Sequence, residues 1–388
     1  MSQERYDVLV VGSGVIGSSI AYHLACKQLR VAVLERGGIA EEPVASWASA
    51  GGVRRQGRHG AEALLASEAI ERWKTLEQEL DADLQYRRGG NLFLAETDDE
   101  AQQLVSFVRE QQAHGFSDVR LLDSREVHDL VPALSTHIVA GSYSPQDGQA
   151  DAPRTTRAFA TAAQRLGAIY LKNTPISSLL LHGDRVDGVN SGRGTLRAEQ
   201  VVLAAGAWSD EIAASVGQRL PVRMEAPQML LSSPADMGIL RPVLGTAGRP
   251  LSLKQLSDGS FLLGGGWSGD PTPDRRHYML RPASVQGNWD VACAVLPVLM
   301  QQRIVRSWCG LEAVSIDDIP FIGPVAGLAG LTLALGFSGH GFAISPAVGR
   351  CVADQIVGHA TPELAGLSPA RMASFSPEQI NAFVSAAL

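Results

Sequence analysis

Basic residues do not predominate in this chain. Lys and Arg number 33 against 40 Asp and Glu, a net charge of −7. That excludes a generally basic surface for nucleic acid or anionic membrane, although a local basic patch remains open. No apolar run approaches the ~18–20 residues of a membrane span, and Met1-Ser2-Gln3-Glu4-Arg5 opens without a signal-peptide pattern. Cysteine is scarce: Cys26, Cys293, Cys309 and Cys351 lie far apart with no CxxC pair. A disulfide framework or a thiolate metal site is therefore not expected, and a reducing cytoplasm fits. Long polar tracts are missing too, and charged residues are only 19%. What is plentiful is apolar content at 45%, with 40 Gly and 20 Pro, enough for a large core joined by many tight turns. With 388 residues the chain exceeds one ordinary domain of ~100–200, so two interleaved domains of a soluble enzyme are expected.

Tyr6-Asp7-Val8-Leu9-Val10-Val11 is a largely β-branched run without helical period, as a strand buried on both faces of a parallel sheet requires. Gly12-Ser13-Gly14-Val15-Ile16-Gly17 follows, then Ile20, Ala21, Leu24 and Ala25 at helical spacing, then Val31-Ala32-Val33-Leu34-Glu35. In such a strand–turn–helix–strand unit Gly12 permits the tight turn, Gly14 lets backbone approach a pyrophosphate, and Gly17 allows close helix–strand packing. The helix start offers free N–H groups and a positive dipole end to phosphate. Glu35, 18 residues beyond Gly17, stands where a carboxylate accepts the ribose hydroxyls, which disfavours a 2′-phosphate and hence NADP. The pattern predicts an adenine dinucleotide and leaves NAD and FAD equally open.

The loop from Gly37 to Gly60, poor in apolar period, is of a length that wraps a ligand. A helix is expected at 62–80 with Leu65, Ala69, Trp73, Leu76 and Leu80 on one stripe, a strand over Gly90–Ala95, a solvated helix at 98–114 and another at 153–166. Strands follow near 168–172, 185–190 and 200–205. Residues 222–305 alternate short strands and turns, which predicts an antiparallel sheet. The last part returns to α/β: a strand over Leu331–Leu335, the loop Gly336-Phe337-Ser338-Gly339-His340-Gly341-Phe342, and a helix from Pro346 to Val357. The fold expected is α/β, a Rossmann-type domain made of 1–85, 145–221 and 320–388. A mostly antiparallel β-sheet substrate domain is inserted as 86–144 and 222–319.

Four segments then resemble one family in the same order. They are Val10–Gly17 with Glu35-Arg36; Ser49-Ala50-Gly51-Gly52; Val202-Leu203-Ala204-Ala205-Gly206-Ala207-Trp208; and Trp308-Cys309-Gly310-Leu311 through Gly323 with Gly336–Gly341. The chain resembles the FAD-dependent amine oxidoreductases of the D-amino-acid-oxidase type, which include glycine oxidase, monomeric sarcosine oxidase and the flavin subunits of opine, proline and hydroxyproline dehydrogenases. The resemblance implies FAD, held by Gly12, Gly14, Val15, Ile16, Gly17, Glu35, Arg36, Ser49, Ala50, Gly51, Gly52, Ile176, Ala205, Gly206, Trp208, Gly310 and Gly336 to Gly341. It also implies oxidation of a C–N bond by hydride transfer to flavin N5, then hydrolysis of the imine. His340 reads either as a cofactor contact or as a loop histidine with a structural hydrogen bond.

Three departures qualify the resemblance. Glu312 stands where glycine oxidase has an arginine for the substrate carboxylate, so the acid binds elsewhere or the substrate presents a cation to Glu312. Ala343 replaces a lysine found after the GFSGHGF-like loop of sarcosine oxidase. Cys309 lies near the position of that enzyme's flavin-linking cysteine, but the local spacing follows glycine oxidase, and non-covalent FAD is expected. Arg54 and Arg55 are the replacement anion anchors, either of which could instead pair with cofactor phosphate or a surface acid. No lysine occurs in Phe261-Leu262-Leu263-Gly264, where sarcosine oxidase implies one for oxygen activation, which favours another electron acceptor. Trp267, His277 and Tyr278 read as ordinary core and surface residues rather than pocket lining.

The function expected is oxidation of a secondary amine or amino acid of the opine, proline-derivative or N-methyl type. A flavin subunit passing electrons to partner subunits, a non-catalytic flavoprotein and an NAD-dependent dehydrogenase are the alternatives.

Overall fold

The computed structural model describes residues 5–386. The opening segment folds as β1 (Arg5–Val11), α1 (Val15–Cys26) and β2 (Val31–Leu34). The two strands run parallel, Val8 to Val11 aligned with Val31 to Leu34, and nearly every apolar side chain in them is buried. They lie towards one side of an eight-stranded sheet. Its order is Phe321–Val325, Leu328–Leu335, Arg185–Ser191, Gly194–Leu203, β1, β2 and Ile169–Leu171, with Ile176–His182 paired to Arg185–Ser191. β1 pairs in parallel with Gly194–Leu203, and Leu328–Leu335 also runs parallel to it. On one face α2 (Ala63–Trp73) packs against α4 (Gly341–Ile356), and α1 against α4 and α3 (Ala152–Arg165), around a core that includes Ile20, Leu24, Phe159, Ile344 and Val348.

A second eight-stranded sheet runs Ile304–Cys309, Gln228–Ser232, Phe261–Gly264, Ser252–Gln255, Val243–Thr246, Asn91–Ala95, Ala140–Ser144 and Arg120–Asp123. A two-stranded ribbon joins the halves: β3 (Val222–Glu225) pairs antiparallel with β6 (Glu312–Ser315) and packs on the Gly206–Trp208 turn. In the second sheet β4 (Ser252–Gln255) and β5 (Phe261–Gly264) form a hairpin that sets Lys254 opposite Leu262.

Several expectations shift. The apolar stripe at 62–80 is buried as expected, but the helix breaks into α2 and a short segment Leu76–Leu80, after a 3-10 turn at Gly60–Glu62. α4 begins at Gly341, ahead of Pro346, and runs through the proline. Pro346 has no N–H for the Phe342 carbonyl, and the Ser345 hydroxyl donates to that oxygen instead at 2.9 Å. Residues 222–305 are not strand throughout, because Pro282–Val295 is a helix. Its Gly287 blurs the apolar period, and the structure shows why glycine stands there: an added Cβ would lie 2.4 Å from the Trp267 ring. Val243–Thr246 also pairs in parallel, not antiparallel, with Asn91–Ala95.

Candidate active site

A cavity of about 750 Å³ opens where the carboxyl ends of β1, β2 and Gly194–Leu203 meet the second sheet. Crevices outside the carboxyl ends of parallel strands are where α/β folds bind ligands. At one end the glycine turn is packed as its sequence implies. Gly12 has φ +102°, and a Cβ there would sit 2.4 Å from the Ala204 carbonyl oxygen. A Cβ on Gly17 would sit 2.0 Å from the Gly12 carbonyl oxygen, so Gly17 serves helix packing and does not line the cavity. Gly14, by contrast, lines it, as do Val15 and Ile16 at the start of α1. The Val15 N–H donates to Ser46 Oγ at 2.9 Å, tying the wrapping loop to the helix start. Glu35 Oε2 accepts from the Ser13 N–H and hydroxyl at 2.8 and 2.9 Å, and Oε1 from the Gly37 N–H at 3.0 Å. Arg36 lies over the Trp208 ring at 4.2 Å, and Trp208 is fixed by donating to the Arg275 carbonyl at 2.7 Å.

The cavity continues past Ser49, Ala50, Gly51 and Gly52, past Ile176, Ala205 and Gly206, to Gly310 and the 336–341 loop. Here a second helix start, that of α4, faces the same space, with His340 at its N-cap and no side chain capping it. One cavity thus has a positive helix end at each extremity and a ribose-type carboxylate beside the first. The residues present fit an extended, doubly anionic dinucleotide. Cys309 does not reach this space: it is buried with Ala207, Met224, Ala226 and Leu311, its Sγ against Gly269. That placement supports non-covalent cofactor.

The two arginines part company. Arg54 lines the cavity with its guanidinium 5.3 Å over the Phe93 ring. Among the described residues that guanidinium makes no hydrogen bond or ion pair. Arg55 points away, pairing with Asp118 and lying 5.2 Å over the Phe116 ring. The expectation that it shares the anchoring role is corrected: alternate residues of this extended segment face opposite sides, and a carboxylate waits on the far one. Asp147 fixes the segment, accepting from the Arg55 and Gln56 N–H groups at 3.1 and 3.2 Å. Burial pushes its carboxyl up to about 6.

His340 is both cavity-lining and structurally engaged, its Nδ1 3.6 Å from Oε2 of the fully buried Glu62. Burial, then the Arg58 charge, pulls its imidazole down to about 4, so the ring is neutral at pH 7. Glu312 also lines the cavity, on β6 and directly across the ribbon from Glu225. Glu225 Oε1 accepts from Arg223 at 2.8 and 2.6 Å, whereas Glu312 has no basic partner among the described residues. Burial, then the Glu225 charge, raises Glu312 to about 7.

Sequence reading missed Arg58, Glu62, Glu225 and Lys254. The first two stand only 4 and 8 residues beyond Arg54, in a wrapping loop and 3-10 turn that carry no periodic signal to single them out. Lys254 required the hairpin register. It is buried, its ammonium donates to the Ala150 carbonyl at 3.3 Å directly behind cavity-lining Gly51, and burial lowers it to about 8. Trp267, His277 and Tyr278 lie outside the cavity wall.

These features together define a flavin-dinucleotide enzyme. The chain belongs to the DAO family of FAD-dependent oxidoreductases, whose family model matches residues 7–355. It is 32% identical over 365 residues to glycine oxidase from Pseudomonas aeruginosa, covering 90% of this chain and 94% of that protein. It is 25% identical over 369 residues to sarcosine oxidase subunit beta from an Arthrobacter species, covering 91% and 87%. Among solved structures, L-proline dehydrogenase from P. horikoshii superposes with a TM-score of 0.88 at 28% identity, over 96% of this chain and 99% of that one. Among the described residues no helix is long and apolar enough to cross a membrane.

Proposed function

We propose that this protein oxidises the C–N bond of a secondary amine or amino acid, of the opine, proline-derivative or N-methyl amino-acid type. The observation that carries the reading is Arg54, a cation in the cavity wall whose guanidinium has no hydrogen-bonded or ion-paired acid among the described residues. A buried guanidinium is stable only when paired, and a substrate carboxylate supplies the pair with two parallel hydrogen bonds. Glu312 lines the same cavity, so a zwitterionic substrate finds an anchor for each charge. Bound FAD supplies the hydride acceptor, at flavin N5. The protein's own task is orientation and exclusion of water until the imine is formed, after which water converts it to a carbonyl compound and a free amine. Residues 1–85, 145–221 and 320–388 hold the cofactor in this reading, and 86–144 and 222–319 carry substrate specificity.

Anaerobic mixing of the yellow holoenzyme with a panel containing sarcosine, proline, hydroxyproline and opines tests the reading. Bleaching of the flavin by at least one member is expected, and no bleaching by any member overturns it.

Similarity to a sarcosine oxidase subunit along 91% of the chain favours a second reading, in which this chain is the flavin subunit of a hetero-oligomer working in the reducing cytoplasm. An isolated chain whose flavin bleaches but turns over only with co-expressed partners supports it, and full turnover alone with oxygen excludes it.

A further inference from the structure

Amines with an ordinary ammonium pKa reach an enzyme protonated near pH 7, and a protonated nitrogen has no lone pair with which to expel hydride from its carbon. An amine-oxidising site therefore needs somewhere to put one proton. This requirement rests on the reading of the cavity given above. Among the described residues, the cavity-wall carboxylates Glu211 and Glu225 pair with Arg275 and Arg223, and Glu35 is taken up at the nucleotide end by Ser13 and Gly37, which leaves Glu312 with neither a basic partner nor a side-chain hydrogen bond. The groups around it are asymmetric. From β3 it faces Glu225, which accepts from Arg223 at 2.6 Å. Asp318, beyond β6, adds negative charge near Glu225. From the 336–341 loop comes the Gly339 N–H. A carboxylate in an apolar wall beside a second, fixed carboxylate binds a proton more tightly than an isolated one.

The geometry points to Glu312 as the base that takes the proton from the bound substrate ammonium, with Glu225 as the positioning charge that tunes it. The N–H bond of the ammonium breaks and an O–H bond forms on Glu312. The freed lone pair becomes the second bond of C=N as the hydride leaves the carbon for the bound FAD, so the substrate loses two electrons and the cofactor gains them. The proton then passes from Glu312 to water when product leaves. The raised affinity near neutrality, about 7, suits a group that accepts a proton and returns it within a turnover.

Stopped-flow reduction at saturating substrate, followed against pH, tests this. The wild-type rate rises with pH through a limb near 7, because Glu312 must be ionised to accept. In Glu312→Gln the rate at pH 7 falls about 100-fold, the limb moves up to the amine's own titration, and high pH restores much of the rate. Glu225→Gln removes the neighbouring negative charge, weakens proton binding on Glu312 and moves the limb to lower pH. Substrate binding alone would change KM and leave the limb unmoved in both variants, and that result overturns the assignment. A second measurement needs no turnover. Wild-type holoenzyme mixed with an amino acid lacking an α-hydrogen should show the infrared carbonyl stretch of a protonated carboxylic acid, absent in Glu312→Gln. No such band in the wild type also overturns it. If the amine panel never bleaches the flavin, the proposed function fails. If it bleaches but the limb stays put, only the role of Glu312 fails.

Discussion

Lys254 and Ala150 meet behind the cavity wall, the ammonium donating to the carbonyl oxygen at 3.3 Å beneath Gly51. This lysine sits on β4, paired with Leu262 of β5, the strand in which the sequence shows no lysine. The preference for an acceptor other than oxygen rested on that gap; Lys254 comes from the neighbouring strand and stands behind the wall, outside the residues that line the cavity. If oxygen takes the electrons in the adjoining cavity, a cation behind Gly51 would help to stabilise a superoxide-like charge there. Lys254→Met should slow reoxidation of reduced enzyme by oxygen about tenfold or more, with anaerobic reduction unchanged. Since burial holds the ammonium near 8, wild-type reoxidation should weaken as pH rises past that value. Equal reoxidation rates for the two proteins would remove Lys254 from the oxygen step.

Arg54 and Arg55 offer a paired test. Replacing Arg54 with Ala should raise KM for a carboxylate substrate by about 30-fold, the equivalent of losing a ~2 kcal/mol charge-assisted interaction. Arg55→Ala should leave KM alone and lower the denaturation midpoint, because its partners are Asp118 and Phe116. Steady-state kinetics and thermal melts on both variants decide, and a KM effect at Arg55 would contradict the side-chain directions described.

At the other end of the cavity, Glu35→Ala removes the acceptor fixed by Ser13 and Gly37. The purified variant should retain less flavin, read from visible absorbance per chain. Gly17→Ala should do worse, since its Cβ collides with the Gly12 carbonyl at 2.0 Å, and the expected product is colourless or insoluble protein.

Cys309 faces Gly269 rather than the cavity. Acid precipitation of the holoenzyme should leave all flavin colour in the supernatant, and Cys309→Ser should bind flavin as the wild type does. Colour retained in the pellet would refute this.

The nucleotide end was legible because local chemistry dictates it. Gly12, Gly14 and Gly17 answer steric demands within one turn, and Glu35 follows at a distance set by one helix and one strand. The substrate end was legible only in part. Arg54 and Glu312 stand out as chemical oddities in the sequence, but which of two adjacent arginines faces inward depends on Asp118 and Asp147, distant in the chain. Lys254 and the Glu225–Glu312 pairing depend on strand register, which a sequence of short strands and turns leaves undetermined. The start of α4 was misplaced because Pro346 is a normal stop signal, and the Ser345 hydroxyl that compensates for it is visible only in three dimensions.

The cavity wall is assembled from residues near 12, 46, 206, 311 and 339. A fragment without residues 339–342 lacks a complete cradle, so bound coenzyme ties both sheets together from within. Resistance to heat should therefore track free FAD concentration, as expected when a ligand binds only the native form.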